Sequence, residues 1–295
     1  MSLKHVVVGG GTGFIGKRLI DLLCQQGITC TIVSQRSGPN RISWTDVERN
    51  GLPKNTSAVV NVAGQNVLDP TKRWSSEFKQ IVRDSRVKTT NILAKAVENL
   101  DATAFVTISG VACYKPSNIT YTEESPCVPY DFLSELCRDW EAAAQLSQGS
   151  KTRQVVIRSG VVLGKGGGMI KQIRLPFLFG LGGPIGSGDQ YMPWIHITDL
   201  VNMFLFAMKN DNVCGILNGV APEPVTNKEF TKAFASAMKV PAFIPVPSFI
   251  LNVIFNEERA KMMLEGQKVL PKRAKELGFQ YQYPDINSAC KEIVS

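Results

Sequence analysis

One glycine-rich turn, Gly9-Gly10-Gly11-Thr12-Gly13-Phe14-Ile15-Gly16, restricts what this chain can fold into more than any other feature. An apolar run, His5-Val6-Val7-Val8-Gly9, leads into it. A helical stripe of Leu19, Ile20, Leu22 and Leu23 leads out, ending at Gly27 as a natural C-cap. Residues 29–34 (TCTIVS) then read as a second strand, which completes a βαβ unit. The turn fits G-x-G-x-x-G at Gly11, Gly13 and Gly16, and G-x-x-G-x-x-G at Gly10, Gly13 and Gly16. The early glycines permit a tight turn, with Thr12 inside it. Gly13 lets the backbone approach a pyrophosphate, and Gly16 lets the helix pack on the strand. The helix N-terminus offers free N–H groups and partial positive charge to the anion. Placed between a strand and a helix, the motif predicts a dinucleotide site.

The end of the second strand selects the dinucleotide. NAD-specific sites place Asp or Glu about 20 residues past the glycines, on the ribose 2′-hydroxyl. Here the stretch is Val33-Ser34-Gln35-Arg36-Ser37, and no acid lies between Asp21 and Asp46. Ser34, Gln35 and Arg36, with Arg41 assisting, suit a 2′-phosphate, so NADP(H) is expected over NAD(H). Val62-Ala63-Gly64 closes a third strand (57–64) with small residues that allow close approach of the cofactor. Arg86, in the RDSR segment of a long charged helix over 74–100, is placed to reach back to it.

Further strands are expected at 104–110 and, together with its exit loop, within 153–164, and a helix at 132–146. Alternating strands and helices predict an α/β fold, a doubly wound parallel sheet of the Rossmann type with a smaller, mostly helical C-terminal domain. The expected division is 1–164 for the Rossmann domain, with 193–220 returning to it. Residues 165–192 and 221–295 form the substrate-side and C-terminal part. Thr226-Asn227-Lys228-Glu229 matches a capping box before a helix.

The 295 residues are 44% hydrophobic and 20% charged, which excludes a disordered chain. The longest apolar stretch, near 243–255, is broken by Pro245 and Pro247 and falls short of the roughly 20 residues a membrane-spanning helix needs. No membrane partner is expected. The glycine turn starts too early to leave room for a cleaved signal peptide, so the cytoplasm is the default location, other intracellular compartments remaining open. Seven cysteines without a C-x-x-C read as reduced thiols, and two histidines, His5 and His196, leave no metal site expected. The net charge of +8 comes without a strongly basic cluster or RNA-binding signature, so no nucleic-acid partner is expected.

Several segments carry a family resemblance: GGTGFIG (10–16), VVNVAG (59–64), RDSR (83–86) and CRDWEAAA (137–144), then RSGVVLGKGGGM (158–169), GLGGPIGSGDQYMPWIHITDL (180–200), NGVAPEPVTNKEF (218–230) and LEGQKVLPKRAKELGF (264–279). Over essentially its whole length the chain resembles the epimerase family proteins, subfamily 39U of the short-chain dehydrogenase/reductases. The resemblance implies a Rossmann domain, a C-terminal domain of unknown function, and an NADP-dependent oxidoreductase acting on an unidentified small molecule. It implies Gly10, Gly13, Phe14, Ile15, Gly16, Ser34, Gln35, Val62, Ala63, Arg86 and Val162 as cofactor contacts, with Ile81 contributing on the helix face of Arg86.

One departure is plain. The wider superfamily uses a Tyr-x-x-x-Lys pair, in which residues four apart share a helix face. No tyrosine here is followed four residues later by lysine. Aligning the helix on Glu141 puts Leu133 and Cys137 at those places. Tyr114 and Ser109, just past the 104–110 strand and within it, are the substitute candidates for catalysis. His196 reads as a hydrogen-bonded structural histidine and Asp199 as a helix-start residue. Three functions stay open: an atypical oxidoreductase, a non-catalytic NADP(H)-binding sensor or regulatory protein, and a nucleotide-sugar epimerase, which the absent pair disfavours.

Overall fold

The computed structural model describes residues 3–69 and 71–295. The first half runs β1 (His5–Gly9), α1 (Phe14–Gln25), β2 (Thr29–Ser34), β3 (Arg41–Ser43), α2 (Trp44–Asn50), β4 (Ala58–Asn61), α3 (Ser76–Val97) and β5 (Ala104–Gly110). It continues through β6 (Ser117–Tyr121), α4 (Phe132–Ala143), β7 (Arg153–Ser159), β8 (Val161–Leu163), α5 (Gly168–Leu178), β9 (Trp194–His196), α6 (Ile197–Lys209) and β10 (Gly215–Gly219). The chain ends with α7 (Asn227–Met238), α8 (Ser248–Phe255), α9 (Glu257–Leu264), β11 (Gln267–Val269), α10 (Lys272–Glu276) and α11 (Ile286–Val294).

Seven strands form one sheet in the order β10-β7-β5-β4-β1-β2-β3, and every neighbouring pair is parallel. The apolar runs follow from burial on both faces. Val6, Val8, Val60, Val106 and Ile157 point to the α1 and α6 side, where Leu19, Leu23, Leu200 and Phe204 cover them. Val7, Val59, Phe105 and Val156 point the other way, onto Val47, Leu93 and Val97 of α2 and α3. Strand order reverses between β1 and its two neighbours, β2 and β4. That opens the crevice beyond the carboxyl ends where α/β sheets bind ligands. A second core, with Ile170, Phe177, Trp194, Phe230, Phe234 and Ile293, lies among α5, α7, β9 and α11.

The structure refines several expected elements. The helix over 74–100 is a single run from Ser76 to Val97, capped where Ser75 Oγ accepts the Phe78 N–H at 3.3 Å. The expected strand 153–164 divides at Gly160. A Cβ there would lie 2.5 Å from the Pro193 carbonyl oxygen, and β8 leaves the main sheet to pair with β9. The glycine-rich stretch after 165 contains α5, whose periodicity is hidden by glycines on both sides and by Pro176 within it. The short elements β3, α2, β6 and β11 carry too few residues to show a period.

All seven cysteines are free thiols. Among the described residues, no group of His, Cys, Asp or Glu is placed to hold a metal ion. No helix among them is long and apolar enough to cross a membrane.

Candidate functional site

The glycine turn sits between β1 and α1 at the edge of the crevice. Gly10 has φ +76, a left-handed conformation in which a side chain is strained. A Cβ on it would lie 2.6 Å from Ala63 Cα, and one on Gly16 would lie 2.3 Å from the Gly10 carbonyl oxygen. These two glycines are therefore required by the fold. Gly13 differs: its backbone is extended at φ −78, and a Cβ would meet only the Gly10 carbonyl at 3.3 Å. The space beyond Gly13 is open. No side chain caps α1 and no acid lies in its first turn, so its N–H groups stay free for an anion.

Phe14 and Ile15 are both half-buried; Ile15 packs against the main core with Val62 and Val162, while the Phe14 ring is seated on glycine. A Cβ on Gly167 would lie 2.1 Å from Phe14 Cδ2, and one on Gly164 3.0 Å from Phe14 Cζ. The loop between β8 and α5 thus lies flat against the start of α1. The sequence had shown this glycine cluster only as a loop. The Val162 carbonyl lies beside Gly168 in the same corner.

At the end of β2, Ser34 is buried and its hydroxyl donates to the Arg36 carbonyl at 2.9 Å, which folds the strand exit into a turn. Gln35, Arg36 and Arg41 are exposed on it. The acid that follows in sequence, Asp46, accepts from the Ser43 N–H at 2.8 Å and the Ser43 hydroxyl at 2.7 Å. It is thereby committed to capping α2, and its carboxyl is held below the usual range by those bonds. The β2 exit therefore presents a cation and no free carboxylate.

Beyond β4, Val62, Ala63 and Gly64 form a close-packed backbone segment. Its anchor, Asn61, was not singled out in the sequence. Asn61 Oδ1 accepts from the Ala63 N–H at 3.1 Å, and its Nδ2 donates to the Thr90 hydroxyl at 2.8 Å. The signal was a polar residue inside the apolar run VVNVA. Arg86 lies against this segment: a Cβ on Gly64 would be 3.0 Å from its Cζ. The guanidinium sits 5.2 Å from the Trp140 ring centroid and donates to the Val82 carbonyl at 3.1 Å. No carboxylate pairs with it among the described residues. Burial lowers it to about 10, so it remains a cation at neutral pH with one side unneutralised. Ile81, on the same helix, is exposed.

The structure corrects the first catalytic candidate. Tyr114 follows the short helical turn Val111–Cys113 and its side chain is fully buried. Its hydroxyl accepts from Arg158 Nη1 at 2.9 Å and lies 3.0 Å from both Asn218 Oδ1 and the Thr122 carbonyl. Arg158 is itself paired with Glu141 through two 2.8 Å bonds. Burial pushes the phenol up to about 12. Tyr114 ties β6, β7 and β10 together and has no exposed face for a substrate. Leu133 and Cys137 occupy α4 as the alignment placed them; Leu133 packs in an apolar cluster, and burial pushes the Cys137 thiol up to about 12, out of reach of a thiolate. Ser109 is buried as well, at the carboxyl end of β5; its Oγ lies beside Cys137 and has no hydrogen-bond partner at normal distance.

His196 is fully buried. Its Nδ1 accepts the Thr198 N–H at 3.2 Å, so the proton sits on Nε2 and is donated to Glu292 at 2.9 Å. It caps α6. Asp199 accepts the N–H groups of Gln282 and Tyr283 at 2.7 and 2.9 Å, fastening the tail to α6 rather than capping it.

Comparison with known proteins places the chain in a family. The model described as "NAD dependent epimerase/dehydratase family" matches residues 6–218, and "Domain of unknown function (DUF1731)" matches residues 246–293. Epimerase family protein SDR39U1 of Bos taurus is 49% identical over 295 residues, covering 99% of this chain and all of that protein. A chloroplastic homolog from Arabidopsis thaliana is 36% identical over 99% of this chain and 87% of its own length. The crystal structure of human SDR39U1 (isoform 2), solved with NADPH, superposes with a TM-score of 0.96 at 49% identity, covering 98% of this chain and 99% of that one. A UDP-N-acetylglucosamine 4-epimerase from Bacillus cereus, at 18% identity and TM-score 0.76 over 99% of this chain and 98% of that one, shares the fold alone. With a match across the β1–β10 unit and full-length relatives at this identity, the chain belongs to the NAD dependent epimerase/dehydratase family, among its SDR39U1-type epimerase family proteins.

Proposed function

We propose that this protein binds NADP(H) along the crevice and acts as an atypical oxidoreductase on a small carbonyl or alcohol substrate. The observation that carries the reading is the juxtaposition of an open Gly13 with the unneutralised Arg86 guanidinium and a β2 exit carrying Arg36 without a free acid. The NADPH in the human relative supports it. The turn N–H groups and Arg86 would hold the pyrophosphate side; Gln35 and Arg36 would hold the 2′-phosphate, on the turn that the Ser34 hydroxyl fixes through the Arg36 carbonyl. When bound, the cofactor supplies hydride chemistry, which protein groups orient rather than perform. Ser109, the hydroxyl at the carboxyl end of β5, would hold the substrate oxygen once the packing over its buried Oγ opens. No Tyr–Lys pair lowers a phenol pKa here, so proton delivery would pass through Ser109 and water.

The test is NADPH oxidation against a panel of aldehydes and ketones. The reading expects substrate-dependent turnover that falls at least about tenfold in Ser109→Ala. Tight NADPH binding without turnover on any substrate favours the second reading, a cofactor-state sensor, which the burial of Tyr114 and Cys137 supports. Neither reading calls for epimerase chemistry.

A further inference from the structure

Among the described residues, ten of the fourteen large apolar side chains left exposed fall in two short segments. One is the end of α5 and the residues after it, where Phe179 is 71% and Leu181 68% exposed. The other is α8 and the stretch before it, with Phe243 at 78%, Phe249 at 66% and Val253 at 83%. Backbone contacts bring the loop after the first segment against the stretch before α8. The Val246 N–H donates to the Pro184 carbonyl at 2.8 Å, and the Gly186 N–H to the Val246 carbonyl at 3.0 Å. Helix α8 buries only Leu251 inward, although nearly all its residues are apolar. Soluble monomers rarely leave an apolar patch larger than a few hundred Å² without a use for it.

Cations outnumber acids along the segments that carry this patch, although exposed Asp189 follows directly after the first segment and Glu257 and Glu258 directly after the second. Residues 165–188 contain Lys165, Lys171 and Arg174 and no acid; residues 230–256 contain Lys232 and Lys239 and no acid. All five are exposed, and Lys171, Arg174, Lys232 and Lys239 join no salt bridge among the described residues. The acids Glu257 and Glu258 that follow α8 are engaged by Lys261 and Lys79. A second copy of the chain is a poor occupant, because a two-fold contact sets the same patch against itself and faces these cations with one another. An anionic bilayer surface satisfies both features: apolar side chains enter the acyl boundary, and lysine and arginine meet the headgroups.

We infer that the α5 end and α8 form a docking surface for an anionic lipid bilayer, on which the protein lies without spanning it. The sequence expectation of no membrane partner rested on the length a spanning helix needs, a criterion that does not exclude surface attachment.

The experiment is co-sedimentation of the full chain with phosphatidylcholine vesicles, with and without phosphatidylglycerol. The expected result is binding to the anionic vesicles, weakened by salt and reduced at least about tenfold in Phe243→Ser/Val253→Ser and in Lys171→Glu/Arg174→Glu. Both side chains of the first pair point to solvent, so its melting temperature should match the parent. No binding to anionic vesicles overturns the inference, as does binding that neither double variant alters. A dimer in sedimentation velocity that Phe243→Ser/Val253→Ser dissociates would also overturn it, assigning the patch to a second copy.

Discussion

Gly13→Ala separates what the turn does for the fold from what it does for a ligand. The backbone at Gly13 is extended at φ −78, which alanine adopts freely, and the added Cβ would meet one atom at 3.3 Å. Alanine is a poorer N-cap than glycine by up to about 1 kcal/mol, while the stiffer unfolded chain returns about 0.4–1 kcal/mol. Net stability should therefore stay within about 1 kcal/mol, about 2 °C in Tm for a chain of this size. Binding should respond differently. The methyl would occupy the space through which a pyrophosphate reaches the turn N–H groups. Losing one charge-assisted hydrogen bond costs about 1.5–3 kcal/mol, or about 10- to 100-fold in Kd. Isothermal titration calorimetry with NADPH, beside a thermal melt of the unliganded protein, measures both. Unchanged affinity would mean that no pyrophosphate approaches Gly13, and a melt lowered by more than about 5 °C would make Gly13 a fold requirement like Gly10.

Arg36→Gln should narrow the preference for NADPH over NADH about tenfold, with NADH affinity unchanged by calorimetry. Tyr114→Phe should cost about 1–3 kcal/mol in urea denaturation, because it removes a hydroxyl on which Arg158 Nη1 and Asn218 Oδ1 depend, and should leave any turnover intact. Burial lowers the His196 pKa in the folded protein, despite the opposing hydrogen bond the ring donates to Glu292, so the unfolded state binds the extra proton first. The stability His196 contributes should therefore be present above about pH 6.5 and decline as pH falls below it. The comparison is denaturation at pH 7.5 and 5.5, in which His196→Asn should flatten the decline.

Much of the dinucleotide half was legible because its determinants are local. The turn, its flanking strand and helix, and the acid-free β2 exit all lie within about 35 residues, so spacing alone could identify them. The surroundings of Tyr114 were not legible, for the opposite reason. Its position after a strand is a local fact, but its burial is decided by Arg158 and Asn218, partners 44 and 104 residues away. Ser109 could be placed by sequence, yet its unpartnered state depends on everything packed around it. The seat of Phe14 on Gly164 and Gly167 joins two segments some 150 residues apart, and glycines that serve packing look like glycines that serve loops. Helix α5 was lost to the same ambiguity.

An NADP(H) site built by the glycine turn, Arg86 and the β2 exit is tested most directly by the dissociation constants for NADPH and NADH on the purified protein, measured by calorimetry. NADPH should bind at least about tenfold tighter than NADH, the contribution of one charge-assisted contact to the 2′-phosphate. Equal or tighter NADH binding would contradict the assignment of Ser34, Gln35 and Arg36. Failure of both to bind would leave the Rossmann fold as architecture without its cofactor.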